Sequence, residues 1–529
     1  MKNIKFLYTI KNIILFQIIL VVAPGIAQNH LTIPTYHWSY SYIQPLRVRG
    51  YLTELNSIHQ PYTIADVLNS LAKLQEQIQQ NAVTLSAQDR WLIDFLIDEF
   101  QNDDFKNKDD AKLIFQPGIW ANGLVNNSDD ETKFYGQVRS QLGFNLGNKL
   151  SFYNGILADR SLLDDPDYVG KKWRGFAAFI EQAYVRFNHS YFQFTLGRDF
   201  LNWGSGKTGR LLFSDNAQPL DLVEFNIKYK GISFTAMAAN LNQWRLADSL
   251  VQKYYVCNAN RYITAHRLTF NFKNKFHFGL TEALLYGGPH STWELKYHNP
   301  LLYYHGELLN GGGYDGNGFL YFDYDLYPWH NWEFYGEVLV DDFQVEKTVN
   351  GDLEPNEIGM IFGFQHSDLF GLHGTMVGLE YVKIANRTYN SEKDWEKFVH
   401  FNKPIGYHLG NNFDRWNLTA NYWFLKGWQA GVALDYIRKG QGSILDPWNT
   451  PWTNYTVAQG YKEPFPYGIV EKSFLATFNL RFHFRVNTFL ASQIVYQDID
   501  NAFHVVGRKE AMWSLLLKLH WNFKGKFFY

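Results

Sequence analysis

A single cysteine in 529 residues removes two classes of protein at once. Cys257 has no second cysteine to pair with, so neither an intramolecular disulfide framework nor a cysteine-rich metal site is available. On its own it reads as a small apolar filler. Apolar runs are equally scarce. Mean hydropathy is −0.30, which excludes a bundle of membrane helices. Excess charge is missing too: 49 Lys and Arg face 51 Asp and Glu. That balance gives no reason to expect nucleic acid or an anionic lipid surface as the main partner.

Aromatic rings, by contrast, are abundant. They make up 18% of the chain, as 43 Phe, 34 Tyr and 17 Trp. Soluble enzymes have no need of so many. Membrane β-barrels do, because Trp and Tyr settle at the lipid–water boundary and form a girdle at each end. Such a barrel also escapes the hydropathy test, since each strand shows only alternate residues to lipid.

The N-terminus has the layout of an export signal. Lys2, Lys5 and Lys11 precede an apolar run from Ile13 to Val22 that only Gln17 interrupts. Gly25 and Ala27 are the small residues a signal peptidase needs. The run is too short to span a bilayer comfortably, so residues 1–27 are expected to be removed.

Two helices are expected next, within an N-terminal segment at 28–110. Ile64, Val67, Leu68, Leu71, Leu74 and Ile78 fall three and four apart, which makes one apolar stripe. Thr63 with Asp66 supplies a capping signal. Ser86 with Asp89 repeats it ahead of Trp91, Leu92, Phe95, Leu96 and Phe100. The apolar face of this hairpin must be buried. A plug in the periplasmic mouth of a barrel and a self-contained accessory bundle both satisfy that need.

From about residue 112 the period becomes two. Trp513, Leu515, Leu517, Leu519, Trp521 and Phe523 alternate with Ser514, Lys518, His520, Asn522 and Lys524. Phe474, Phe478, Phe482 and Phe484 alternate with Ser473, Thr477, Arg481 and His483, and Trp416 and Leu418 with Asn417 and Thr419. A soluble sandwich would show the same faces, but loop lengths separate the two. Short connections at 147–149, 189–191, 230–231, 273–275, 328–331, 426–427 and 486–488 alternate with long ones. The long ones lie near 160–175, 198–222, 241–261, 287–317, 341–356, 384–412 and 438–470. Tight periplasmic turns and long extracellular loops produce that order. The reading is an all-β transmembrane barrel of about eighteen antiparallel strands over 111–529, preceded by a small periplasmic helical bundle. The terminal Phe527-Phe528-Tyr529 suits recognition by barrel-insertion machinery.

Catalytic and cofactor motifs are few. Gly206-Lys207-Thr208 invites a phosphate-loop reading, but position 201, where that motif needs glycine, is leucine. His298, His305 and Glu307 lie close in sequence at a spacing unlike compact zinc sites, and hydrogen-bonded structural roles suit them better. There is no G-x-S-x-G elbow and no H-E-x-x-H helix. The Asp164, Asp165 and Asp167 cluster reads as solvated loop charge without calcium. No cofactor, metal or catalytic residue is expected. The outer loops do have a composition suited to sugars: Asn242 with Trp244; Tyr314 with Asp315 and Asn317; Trp448 with Trp452 and Tyr455. Aromatic faces stack on pyranose C–H faces while polar side chains bond the hydroxyls. Girdle anchoring accounts for part of the same aromatics.

Two stretches carry a resemblance. Gly197-Arg198 through Asn202-Trp203-Gly204, then Leu211-Leu212-Phe213-Ser214-Asp215-Asn216-Ala217 and Pro219, is similar to a signature of the capsule assembly Wzi family. Glu294 to Glu307, with Asn299-Pro300 and Tyr304-His305-Gly306-Glu307, resembles a second signature. The resemblance implies an eighteen-stranded outer-membrane barrel with a periplasmic helical bundle. It also implies a lectin-like role, holding capsular or other exported polysaccharide at the surface of a gram-negative cell. Candidate contacts carried over with it are Arg198, Trp203, Arg210, Asp215 and Asn216 from the first signature, and Tyr304, His305 and Glu307 from the second. These residues also suit bracing of loops folded into the lumen. A porin or sugar-selective channel is the competing reading, and an enzyme acting on lipid or glycan is a third.

Overall fold

The structure is a computed structural model that describes residues 30–80, 82–100, 111–126, 132–146, 149–310, 315–522 and 525–528. The expected export signal lies outside the described residues. No described helix is long and apolar enough to cross a membrane.

Strands cross instead. Among the described residues, eighteen antiparallel strands of eight to sixteen residues form one barrel. Its first strand, Ala111–Asn126, pairs with Thr132–Leu146 on one side and with the last long strand, Lys509–Asn522, on the other. Backbone groups that hydrocarbon cannot solvate are thereby satisfied around the ring. Gly525–Phe528 continues the last strand along the first.

Alternation sorts the side chains. Trp416 and Leu418 are exposed on the outer face while Asn417 between them is buried. Trp513, Leu517, Leu519 and Trp521 are likewise exposed, with His520 turned inward against Phe489. In Trp332–Asp342 the inward set is Glu333, Tyr335, Glu337 and Leu339, all fully or almost fully buried. Buried carboxylates on a barrel wall mean that the lumen is filled with polar protein.

Three helices occupy the short-turn end: α1 (Ser39–Val48), α2 (Ile64–Gln79) and α3 (Ala87–Phe100). In α2 the Thr63 hydroxyl accepts the Asp66 amide at 3.1 Å while Asp66 accepts the Thr63 amide at 3.2 Å, the reciprocal cap its sequence calls for. Ser86 caps α3 in the same way, accepting the Asp89 amide at 3.1 Å. Periodicity did not reveal α1, because Pro45 interrupts it.

Wall contacts decide between the two fates of this bundle. Gln44 donates to Glu333 at 2.7 Å, Arg47 pairs with Asp325 at 3.4 Å, and Tyr42 meets His483 at 3.0 Å. All three wall residues lie beside short turns. The bundle is therefore a plug, and its apolar face forms one cluster with Met376, Trp423 and Phe489 of the wall. One expectation fails here. Cys257 is exposed at the end of a long loop, with no packing to fill.

Candidate functional site

Above the helical plug lies a second seal, built from the first motif. Residues 200–219 connect two strands at the long-loop end, yet they fold back into the lumen. Trp203 is fully buried, and with Leu211, Leu212 and Phe213 it packs against Tyr321, Tyr335 and Leu339 of the wall. It also stacks on His59 of the plug, ring centroids 5.3 Å apart, and its backbone pairs with the His59 segment. Gly204 sits at φ +136°, where an added Cβ would collide with the Tyr321 hydroxyl and the Glu337 carboxylate.

Wall carboxylates hold this loop. Glu337 accepts the Gly206 amide at 2.6 Å and the Leu211 amide at 2.8 Å. Glu380 accepts the amides of Lys207 at 2.6 Å and Thr208 at 3.1 Å, and the Thr208 hydroxyl as well. The Lys207 ammonium reaches Glu333 at 2.8 Å. The Gly-Lys-Thr amides thus do cradle anions, but the anions are the protein's own carboxylates. Arg210 donates to the Gly204 carbonyl at 3.4 Å, and Asn216 to the Pro404 carbonyl at 2.9 Å. Asp215 is exposed. Arg198 faces outward at the same rim, in a two-pronged pair with Asp221 at 2.8 and 2.6 Å.

The second motif lies elsewhere. Residues 295–309 form a strap over the outer face of the strands Asn258–Phe272 and Phe276–Gly288, where Tyr304 and Tyr297 bury Leu284 and Tyr286. Its anchor is Glu282, which accepts the Tyr304 amide at 3.0 Å, the His305 amide at 2.8 Å and the His305 ring at 2.7 Å. His266 closes on the other oxygen of Glu282 at 2.8 Å. His298 has different neighbours: it stacks on Trp293 at 3.9 Å and bonds Tyr286 at 3.2 Å. Burial there pushes its imidazole down to about 4, so it stays neutral at physiological pH. Glu307 is half-buried on the strap. The two motifs therefore form no common site. One seals the lumen and the other covers the outer wall.

A different constellation stands at the long-loop end. Arg387 lies 5.0 Å from the Trp448 ring and 4.4 Å from the Trp452 ring. The same guanidinium bonds Glu463 at 3.1 Å, the Asn449 side chain at 2.8 Å and the Asn449 carbonyl at 2.7 Å. Tyr461 stands between the buried Trp452 and the exposed Tyr455, and Trp448 is half-exposed. Nearby, Lys393 binds Asp315 at 2.6 Å and Glu396 at 3.2 Å. Burial still pushes Glu396 up to about 7. The result is a platform of rings edged by amide, carboxylate and guanidinium groups, which is the chemistry that binds sugar faces and hydroxyls.

Residues 124–511 match the family model of the capsule assembly protein Wzi. The chain belongs to that family. Among solved structures, Wzi of Escherichia coli, described as a carbohydrate-binding outer-membrane β-barrel involved in group 1 capsule assembly, superposes with a TM-score of 0.58. Identity is 14%, over 94% of this chain and 99% of that one, so the likeness is one of fold. OprD of Pseudomonas aeruginosa superposes at a TM-score of 0.44 with 8% identity, covering 79% of this chain and 97% of its own. OccAB3 of Acinetobacter baumannii gives 0.42 with 10% identity, covering 79% and 100%. No curated protein matches the chain by sequence.

Within this Wzi-family barrel, sequence reading missed Glu333, Glu337 and Glu380 as the clamp, and Glu282 as the anchor of the strap. A signal existed for the first group. Carboxylates on the inward parity of a membrane strand need internal partners, and 333 and 337 share that parity with Tyr335. Arg387 carried no local signal, because the rings it meets lie about sixty residues later.

Proposed function

We propose that this protein is a non-catalytic outer-membrane lectin that holds exported polysaccharide at the cell surface through its long-loop platform. Its N-terminal segment is read as a cleaved export signal followed by the plug. The short turns then face the periplasm, the long loops face the exterior, the outer band meets lipid, and insertion machinery recognises the last strand.

The observation that carries the reading is Arg387 held between Trp448 and Trp452 above a doubly sealed lumen. The half-exposed Trp448 and exposed Tyr455, held in place by Arg387 and the buried Trp452, are ready to stack without further ordering, which lowers the entropic cost of binding. The sealed lumen speaks for retention over conduction. E. coli Wzi, described as carbohydrate-binding, supports the same role by family. Of the motif candidates, half-buried Arg198 and exposed Asp215 are proposed as additional contacts. Buried Trp203 and Tyr304 are proposed to act by holding their segments, as are Arg210, Asn216, His305 and Glu307.

The test is retention of the strain's own surface polysaccharide by immobilised purified protein. Trp448→Ala and Arg387→Ala should each lower retention about fivefold, since a stacked ring contributes about 1 kcal/mol and the arginine positions the half-exposed Trp448 ring. Unchanged retention in both variants would remove the platform from the reading. Hydrolysis of the polymer by the wild-type protein would remove the lectin.

A further inference from the structure

A cavity of about 640 Å³ opens at the opposite, short-turn end, between the plug and one sector of the wall. Cavities of this size commonly hold small ligands. Two regular polar surfaces face each other across it. On the plug side α2 contributes Asp66, Ser70 and Lys73, one stripe of the helix adjacent to its buried Val67, Leu71 and Leu74. On the wall side the strand Leu220–Tyr229 contributes Glu224, Asn226 and Lys228, every second residue. The alternate residues Ile227 and Tyr229 are exposed on the outer face.

The chemistry is graded with depth. Leu201 and Leu222 close the inner end. Next comes Glu224, 7% exposed, with no hydrogen bond or ion pair among the described residues and an open path to the cavity. Asn226 follows. At the mouth stand Lys73, Lys228 and Lys230, all exposed and none in an ion pair among the described residues. The other carboxylates nearby are engaged: Asp66 in the helix cap, Asp199 with Arg186 at 3.3 Å, and Glu54 with Ser70 at 2.6 Å. From Glu224 to Lys228 the strand advances about 13 Å, the reach of a short oligomer rather than one ring.

We infer that this cleft is a second binding site, separate from the outer platform, for a segment of acidic oligosaccharide. Sugar hydroxyls would enter towards Glu224 and Asn226, and uronate carboxylates would stay at the three lysines. A carboxylate takes hydroxyl donors, the Asn226 amide, whose N–H groups already bond Ser233 at 3.0 Å and Thr235 at 2.6 Å, offers its oxygen as an acceptor, and ammonium groups pair with carboxylates. A peptide or lipid tail would need an apolar floor along the length of the cleft, which Glu224 and Asn226 deny it. The inference does not depend on the platform.

Tetragalacturonate titrated into the detergent-solubilised full-length protein tests it, with the fully methyl-esterified tetramer as the uncharged control. The acid should bind at least tenfold tighter than the ester, and the difference should shrink as salt is raised. Lys228→Gln with Lys230→Gln should cost at least tenfold, and Asn226→Trp should block binding while leaving every charge in place. Heat-modified gel migration verifies that these variants are folded. Trp448→Ala should leave the titration unchanged, which separates failure of the cleft from failure of the platform. Equal binding of acid and ester, unchanged binding in the lysine pair variant, or loss in Trp448→Ala instead would each overturn the site.

Discussion

The Glu337 carboxylate receives the Gly206 amide on one oxygen at 2.6 Å and holds the far end of the same loop, the Leu211 amide, on the other. One side chain of the wall thus closes a six-residue turn inside the lumen, and Glu380 repeats the device one residue further on. Charge-assisted bonds of this kind are individually among the stronger ones available in a protein interior.

That clamp predicts electrical behaviour. In planar bilayers the wild-type barrel should be silent, while Glu337→Ala combined with Glu380→Ala should give discrete conductance steps as residues 200–219 leave the lumen. Silence in the double variant, with the barrel still folded, would show that the helical plug alone closes the pore.

On the outer wall, the strap depends on Glu282. Glu282→Gln together with His305→Ala removes most of the acceptor strength that holds the Tyr304 and His305 amides. Limited proteolysis should then cut between residues 289 and 310 about tenfold faster, as expected for roughly 1.4 kcal/mol of lost closure when opening is in rapid equilibrium. The rest of the barrel should resist as before. An unaltered digestion pattern would assign the closure to the tyrosine cluster.

Acid should loosen the loop spanning 385–412. His400 is buried there and accepts the Asn242 amide at 3.2 Å. Burial, with Arg261 nearby, pushes its imidazole down to about 3. A depressed pKa means that the closed loop favours the neutral ring. Its contribution is complete above pH 6.5 and falls towards about pH 3, by about 1.4 kcal/mol per unit. Amide protection in this loop, taken relative to the intrinsic exchange rate at each pH, should fall between pH 7 and pH 5, and His400→Gln should flatten that dependence. A fall of equal size in the glutamine variant would place the titration elsewhere.

The outer band makes a fourth prediction. Leu418 projects outward midway along its strand, beside Leu379 and Leu434. Leu418→Arg should cost about 2–4 kcal/mol in lipid refolding. Thr419→Arg, one residue on and facing inward, should cost less if the lumen at that level admits water. A Leu418→Arg barrel as stable as wild type would mean that this face does not meet hydrocarbon.

Much of the architecture was legible because membrane strands have so little freedom. Period-two alternation at Trp416 to Thr419 and the strict order of short and long connections led to the eighteen strands, while the choice between plug and separate bundle needed the wall contacts of Gln44, Arg47 and Tyr42. Thr63–Asp66 and Ser86–Asp89 marked two helix starts because caps are local chemistry. The site was far less legible. Trp203 reads as a sugar-stacking ring in sequence, yet Gly204 and Glu337 turn it inward, and nothing near position 203 announces a partner at 337. His305 read as a hydrogen-bonded structural residue, but its spacing from Glu307 says nothing of the carboxylate that holds it, Glu282 on the wall beneath the strap. Lumen contacts join residues hundreds of positions apart, whereas spacing reports only neighbours.

The plug meets the wall through residues from nearly the whole length of the chain. Arg49 bonds Asp368, and Tyr42 bonds His483 across 441 positions. Helices made first must wait for wall residues made last. The bundle's full set of contacts can exist only once strands far apart in sequence are both in place, and contacts of such separation form slowly. The interval before docking leaves a wide mouth through which the inward loop can still settle.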